Sequence, residues 1–76
     1  MSAILIPRER VVSSHIVAIG YDEKSKTLVV EFEMAIWSYS PIDKKTYKSL
    51  MGSESIGSYF HKNIKSDESL SKERLQ

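Results

Sequence analysis

Residues 55–64 read SIGSYFHKNI, and the apolar side chains in this stretch recur at the spacing of an α-helix. Those that share one helical face are Ile56, Tyr59, Phe60 and Ile64. A face of this kind predicts a helix with one buried side. Ser53 is predicted as the N-cap, because a serine side chain can accept a hydrogen bond from a free backbone N–H of the first turn. A helix this short is stable only when its apolar face packs against another element, which the upstream chain has to supply.

A second helix is predicted immediately before this one. Ser40 is followed by Pro41 and, three residues after the serine, by Asp43. A serine N-cap with proline at the first helical position is a typical helix start. The helix would continue to Gly52, because glycine commonly ends helices.

Three strands are predicted upstream of the helices. Residues 11–21 are rich in β-branched side chains, but their alternation changes phase, which indicates a bulge near Val17 and Ala18. After a polar turn at residues 22–26, residues 28–34 alternate between apolar and polar, as in a half-buried strand. Residues 36–40 form a short third strand. The predicted fold is α+β, a three-stranded antiparallel meander followed by two α-helices packed on one face.

Length and composition suit a single small domain. The chain has 76 residues, no cysteine, and eleven basic against ten acidic side chains, a net charge of +1. Without cysteine there is no disulfide or thiolate metal site, and a near-neutral total gives no general attraction to polyanions. We divide the chain into an N-terminal arm at 1–10, a domain at 11–65 and a polar, frayed or weakly helical C-terminal tail at 66–76.

The apolar stretch near the N-terminus is short. Residues 3–6 are apolar, but Pro7 and Arg8 follow at once, so the run is too short for a signal peptide or a membrane span. The expectation is a cytoplasmic protein with no membrane association.

The chemical motifs in the chain do not support catalysis. Ser14 and His15 are neighbours in a predicted strand, so their side chains would face opposite sides and could not act as a nucleophile and its base. Glu31 and Glu33 share a face but have no histidine at ligand spacing. The glycines of residues 52–58 have P-loop spacing without the lysine that a P-loop requires. We expect no catalytic residue, no metal and no cofactor.

Two aromatic side chains are candidates for binding. Trp37 and Tyr39 stand two residues apart on the third strand and would project from the same face of the sheet. Exposed rings on a sheet can stack on unpaired bases. The alternative is that both rings pack beneath the helices as part of the core.

Four lysines are candidates for phosphate contacts. Lys44 and Lys48 lie one turn apart on the first predicted helix, while Lys62 and Lys65 share a side at the end of the second. If the helices pack side by side, these ammonium groups would form one stripe able to follow a phosphate backbone. The alternative is an ordinary solvated helix face.

Four sequence elements in order resemble the KTSC domain, a small module named for its position at the C-terminus of some lysyl-tRNA synthetases and also found as a free-standing bacterial or phage protein. They are Ser-Ser-x-Ile at 13–16, Ile-Gly-Tyr-Asp at 19–22, Trp-Ser-Tyr at 37–39 and Ser-x-Gly-x-Tyr-Phe-x-x-x-Ile at 55–64. The family usually carries two tyrosines in the third element. The resemblance implies a nucleic-acid-binding accessory, by analogy with its place beside a tRNA-charging enzyme.

The predicted function is a non-enzymatic module for RNA or single-stranded nucleic acid. In this hypothesis Trp37 and Tyr39 stack on bases, and the four lysines contact phosphates. The alternative function is a small bacterial or phage protein-interaction factor that docks on a host or assembly protein. Residues 4–6 of the arm would then add as a strand to the edge of a partner or of a second copy, giving a homo-oligomer.

Overall fold

The computed structural model describes residues 3–76 and shows an antiparallel sheet of five strands with two helices. The strands are β1 (Glu9–Arg10), β2 (Ile16–Asp22), β3 (Thr27–Phe32), β4 (Ile36–Ser40) and β5 (Ser71–Arg74), and their order in the sheet follows the chain. The α+β class is confirmed. The predicted meander corresponds to β2–β4, and one further strand from each end of the chain widens it.

Strand β2 contains the predicted bulge. Ile16 pairs with Phe32 and Ala18 pairs with Glu31, so the register shifts between Ile16 and Ala18, and Val17 is the extra residue. After the bulge, Ile19 and Tyr21 face the same side as Ile16, because the extra residue reverses the alternation. The bulge at Val17 therefore explains the change of phase in the alternation of residues 11–21.

The N-terminal arm lies on the outer face of the sheet, opposite the helices. Ala3–Leu5 forms a 3₁₀ turn, and the part of the arm that pairs in the sheet is β1, which pairs with β2. A Cβ atom on Gly20 would lie 2.3 Å from the Pro7 carbonyl oxygen, so glycine permits this close crossing. Arg8 Nε lies 2.9 Å from Glu31 Oε1 on β3. The arm thus packs against its own domain. Met1, Ser2 and the side chain of Ile4 lie outside the described residues.

Strand β5 corrects the prediction of a frayed or weakly helical tail. Its residues pair with β4 in the register Trp37 with Arg74 through Ser40 with Ser71. Beyond β5, Ile36 N–H donates to the Gln76 carbonyl at 2.8 Å. Backbone pairing therefore holds this segment, although all four side chains of β5 are exposed.

Both helices begin later than predicted. Helix α1 is Lys44–Met51, and its N-cap is Asp43, whose carboxylate accepts a hydrogen bond from Thr46 N–H at 2.9 Å. The hydrogen bonds from Thr46 hold the pKa of Asp43 below its usual value. Ser40 is not the cap because it remains paired in β4. Gly52 follows α1 as predicted.

The second helix, α2, is Ile56–Phe60 and continues as one π-helical turn, His61–Lys65, called the π turn below. Its N-cap is Ser55, whose hydroxyl accepts from Ser58 N–H at 3.3 Å. Ser53 does not cap this helix, because its hydroxyl donates to the Leu50 carbonyl at 2.8 Å and closes the end of α1.

The hydrophobic core lies between the sheet and the helices. It contains Ile16, Ile19, Leu28, Val30, Tyr39, Ile42, Leu50, Phe60 and Ile64. Val29 is also buried but belongs to the opposite face, which the arm crosses. None of the helices between residues 3 and 76 is long and apolar enough to cross a lipid bilayer.

Candidate nucleic-acid interface

The two aromatic candidates of β4 share one face but differ in exposure. Trp37 stands opposite Val30 on one side and Arg74 on the other, and its indole is half-buried at the margin of the core. Tyr39 is 4% exposed, and its ring meets Phe60 edge-on with a centroid distance of 5.2 Å. The prediction that Tyr39 stacks on a base is therefore wrong, because the interior of the domain already surrounds its ring. Only the Trp37 ring reaches solvent.

Burial also affects the titration of Tyr39. Removal of the phenol from water raises the pKa of Tyr39 to about 12, because the charged phenolate loses its hydration. Below pH 10 the phenol is neutral in both the folded and the unfolded chain. Between pH 10 and 12 it ionises only when the chain unfolds, so the free energy of unfolding falls as the pH rises through this window.

Replacing Tyr39 by phenylalanine should remove part of this alkaline sensitivity. We expect Tyr39→Phe to be close to wild type in stability at pH 8. From pH 8 to pH 12 it should lose roughly 2 kcal/mol less than the wild type, from a pKa raised by two units. Urea unfolding followed by Trp37 fluorescence at pH 8, 10 and 11.5 measures the difference. Parallel pH profiles of the two proteins would contradict an ionisable group buried at position 39.

The lysines of α1 lie near the β2 side of the sheet. Tyr47 of α1 stacks on Tyr21 of β2 with ring centroids 4.7 Å apart. Lys44 Nζ lies 3.7 Å from Glu23 Oε2, an exposed ion pair of the kind that contributes little to stability. Lys48 is exposed one turn later.

The π turn contacts the other side of the sheet through its backbone. Lys72 of β5 donates from Nζ to the Lys65 carbonyl at 2.6 Å, which ties the π turn to β5. Three strand spacings separate β2 from β5, about 14 Å. The two helical segments thus pack on different parts of the sheet. Lys44 and Lys48 belong to α1, whereas Lys62 and Lys65 belong to the π turn.

Two cations that the sequence interpretation left out lie beside Trp37 and Lys65. Arg74 is directly opposite Trp37, and Lys72 is directly opposite Tyr39, so both side chains leave the sheet on the helix face. Residues opposite each other in an antiparallel pair have Cβ atoms about 5 Å apart. Trp37, Lys65, Lys72 and Arg74 define what we call the β5 surface. One signal could have indicated β5: without a further strand, β4 would have an unpaired edge next to its two aromatic residues.

Acidic groups near the β5 surface are few. Asp67 and Glu68 belong to the loop before β5, and Glu73 alternates to the opposite face. Hydrogen bonds from Ser69 and the nearby charge of Lys72 keep the pKa of Asp67 low, so this carboxylate is charged at neutral pH and partly offsets the charge of Lys72. Among residues 3–76, neither Lys65 nor Lys72 forms an ion pair. Arg74 Nε donates to the Gln76 carbonyl at 3.4 Å.

A groove of about 740 Å³ opens between α2 and the loop that leads into β2, and we call it the α2 groove. Residues 12–16 and Phe32 line one side, and residues 54–58, Phe60, His61 and Lys65 line the other. Gly57 lets the two sides approach, because a Cβ atom there would stand 3.3 Å from Ser13 Oγ. The close backbone approach at Gly57 is therefore made to this loop and not to the sheet. Ser14 and His15 precede β2, so both reach the same groove.

The groove combines an apolar floor with polar and charged groups. Val12, Phe32 and Ile56 supply apolar surface, and Val12 is 98% exposed at the rim. Within the described part of the chain, the side chains of Ser14, His15, Ser58 and His61 make no hydrogen bond. No group of three or more potential metal-ligating side chains occurs among residues 3–76.

Comparison with protein families matches residues 12–67 to the KTSC domain model. The chain belongs to the KTSC domain family. The crystal structure of a KTSC domain protein from Yersinia pestis superposes with a TM-score of 0.86 and 26% sequence identity, covering 93% of this chain and 99% of that one. No curated protein matches the chain. Strands β1 and β5 lie outside the matched residues, so the five-stranded sheet extends beyond the matched segment.

Two of the elements that carry the KTSC resemblance meet in the α2 groove. The Ser-Ser-x-Ile element at 13–16 lines one side, and the start of the element at 55–64 lines the other. The two elements begin 42 residues apart in the sequence, at Ser13 and Ser55. The KTSC fold thus brings them together at a concave surface of about 740 Å³.

Proposed function

We propose that this KTSC domain is a non-enzymatic module that binds RNA or other single-stranded nucleic acid across the β5 surface. The observation that supports it is the placement of a half-exposed tryptophan directly opposite Arg74, with Lys72 on the same face of β5 and hydrogen-bonded to the backbone of Lys65. Single strands are commonly bound by cations that follow the phosphates and by rings on which bases stack. Trp37 is the stacking ring, and the three cations contact phosphates.

The remaining lysines have secondary roles in this proposal. Lys62 lies on the same π turn as Lys65 and extends the positive surface. Lys44 and Lys48 would contact a longer strand that continues over α1, where Glu23 competes for Lys44. We therefore expect changes on β5 to weaken binding more than changes on α1.

Salt dependence tests the electrostatic part of the proposal. Three phosphate contacts on a single strand predict a slope near −2 for log affinity against log salt, so affinity should fall roughly twentyfold between 50 and 200 mM KCl. Fluorescence anisotropy of a labelled 12-nucleotide RNA measures this slope, and quenching of Trp37 emission in the same titration reports stacking. Absence of binding at 50 mM KCl would contradict the proposal.

Substitutions on β5 locate the binding surface. The double variant Lys72→Ala/Arg74→Ala should reduce the steepness of the salt dependence by roughly 1.4, from 0.7 per lost phosphate contact, and should weaken binding about tenfold or more at 50 mM KCl. Lys24→Ala, an exposed lysine in the turn between β2 and β3, is the matched control and should bind as the wild type does. Lys44→Ala/Lys48→Ala tests the α1 lysines separately. Equal losses in both double variants would contradict a surface centred on β5.

A further inference from the structure

We infer that the α2 groove binds one unpaired nucleotide whose base carries an exocyclic amino group, with the base toward Glu54 and the phosphate toward Lys65. This inference rests on the proposed function for the class of ligand, but it concerns a separate surface. Only Lys65 belongs to both the α2 groove and the β5 surface.

The size of the groove suits such a ligand. Sites for small molecules commonly have volumes of about 300 to 1,000 Å³, and the α2 groove has about 740 Å³. Two other concavities of the described residues have smaller volumes, about 520 and 280 Å³. The groove can therefore hold a whole nucleotide.

The charges at the two ends of the groove have opposite signs. Glu54 precedes α2, whereas Lys65 ends the π turn. The whole of α2 and the π turn lies between them, so the two charges stand at opposite ends of this helical segment. Neither side chain forms an ion pair among residues 3–76. The Glu54 carboxylate would repel a phosphate and accept hydrogen bonds from an amino group. The Lys65 ammonium group would attract a phosphate and could not accept a hydrogen bond from an amino group.

Between these ends the surface is apolar with hydrogen-bonding groups at its sides. Val12 and Ile56 can contact the faces of a flat ring, and Phe32 contributes the floor. The free hydroxyl of Ser14 and the imidazole of His61 can reach the sugar or the base edge. An acidic peptide would match the lysine but not Glu54. A nucleotide matches both ends, because it joins an amino-bearing ring to an anion.

The α2 groove should prefer a base that carries an exocyclic amino group, and this preference is the property that tests the inference. A carboxylate that accepts from the amino group of cytosine is a known mode of base recognition. Uracil has a carbonyl oxygen in that position, and this oxygen would be repelled by the carboxylate oxygens of Glu54. We expect cytidine 5′-monophosphate to bind about tenfold more tightly than uridine 5′-monophosphate, within the discrimination that one such pair provides.

Nuclear magnetic resonance titration of ¹⁵N-labelled protein with each mononucleotide tests the inference. Cytidine monophosphate should shift the amide signals of residues 12–16 and 54–58, and Glu54→Ala should abolish the preference over uridine monophosphate. Glu68→Ala, an exposed acid outside the groove, is the matched control and should keep the preference. Equal affinity of the two nucleotides for the wild type, or shifts confined to other segments, would overturn the inference.

Two further variants separate occupancy of the groove from binding at the β5 surface. Ser14→Trp should block the groove and abolish binding of both mononucleotides, while Ser49→Trp on α1 controls for the added indole. Arg74→Ala, which leaves the hydrogen bond from Lys72 Nζ to the Lys65 carbonyl in place, should leave mononucleotide binding unchanged. Mononucleotide binding that survives in Ser14→Trp would overturn the inference but leave oligonucleotide binding at β5 intact. Lack of oligonucleotide binding with persistent mononucleotide binding would overturn only the proposed function.

Discussion

Removal of residues 71–76 is expected to lower the free energy of unfolding by roughly 3 kcal/mol, from several backbone hydrogen bonds that each contribute about 1 kcal/mol net. These residues pair with β4 from Trp37 to Ser40 and continue in hydrogen bonds with Ile36. Without β5, the edge of β4 and the flank of Trp37 would become exposed. A domain of this length has a total stability of only about 4 to 11 kcal/mol, so the loss would be large.

Urea unfolding measures the effect, and the emission maximum of Trp37 should shift to longer wavelength in the truncated protein. The matched control replaces Ser71–Arg74 by alanines, which removes the exposed side chains but keeps the backbone pairing. This control should stay within about 0.5 kcal/mol of the wild type. A truncated protein as stable as the full chain would mean that the segment is the frayed tail predicted from sequence.

Replacing Ile64 by alanine is expected to lower the free energy of unfolding by about 3 kcal/mol, within the range for large-to-small changes at buried positions. The Ile64 side chain is completely buried, in the π turn that follows α2, and it belongs to the same core as Phe60 and Leu50. The substitution leaves a cavity because the turn is tied to β5 through Lys65 and cannot simply close inward.

The measurement is again urea unfolding, with Val12→Ala as the matched control. Val12 is 98% exposed, so its truncation should change stability by less than about 0.5 kcal/mol. A small effect at Ile64 would indicate that the π turn is only loosely attached to the core. In that case Lys65 would not be held in a fixed position for either binding surface.

The truncation also connects stability with function. Strand β5 supplies Lys72 and Arg74, so its removal should weaken RNA binding even at temperatures where the truncated protein remains folded. The alanine control should share this loss of binding but not the loss of stability. The two variants therefore separate the structural contribution of the β5 backbone from the chemical contribution of its cations.

Several elements could be predicted because their signals are local. The alternation of residues 28–34 marked β3, the change of phase near Val17 marked the bulge, and Gly52 marked the end of α1. The spacing of Ile56, Phe60 and Ile64 predicted a helix with one buried face. In each case the pattern reflects a period or a backbone preference within a few residues.

Other elements could not be predicted because they depend on pairing across the fold. Strand β5 has no apolar alternation, since all its side chains are exposed at an edge. Ser40 resembles a helix cap, but its place in β4 opposite Ser71 delays the start of α1 to Lys44. The arm resembles an edge strand, yet its approach to Gly20 places it across the outer face of the sheet.

Local sequence periodicity was thus sufficient for the fold class, the three central strands and the existence of two helices, because one-sided burial leaves a repeating pattern. Tertiary structure alone decided that Tyr39 is in the core while Trp37 reaches solvent, since both project from the same face of β4 and Phe60 packs against the Tyr39 ring. It also decided which cations lie together. Lys72 and Arg74 lie beside Trp37 and the backbone of the π turn because a polar segment without a strand pattern completes the sheet through backbone hydrogen bonds, and those bonds are independent of side-chain identity.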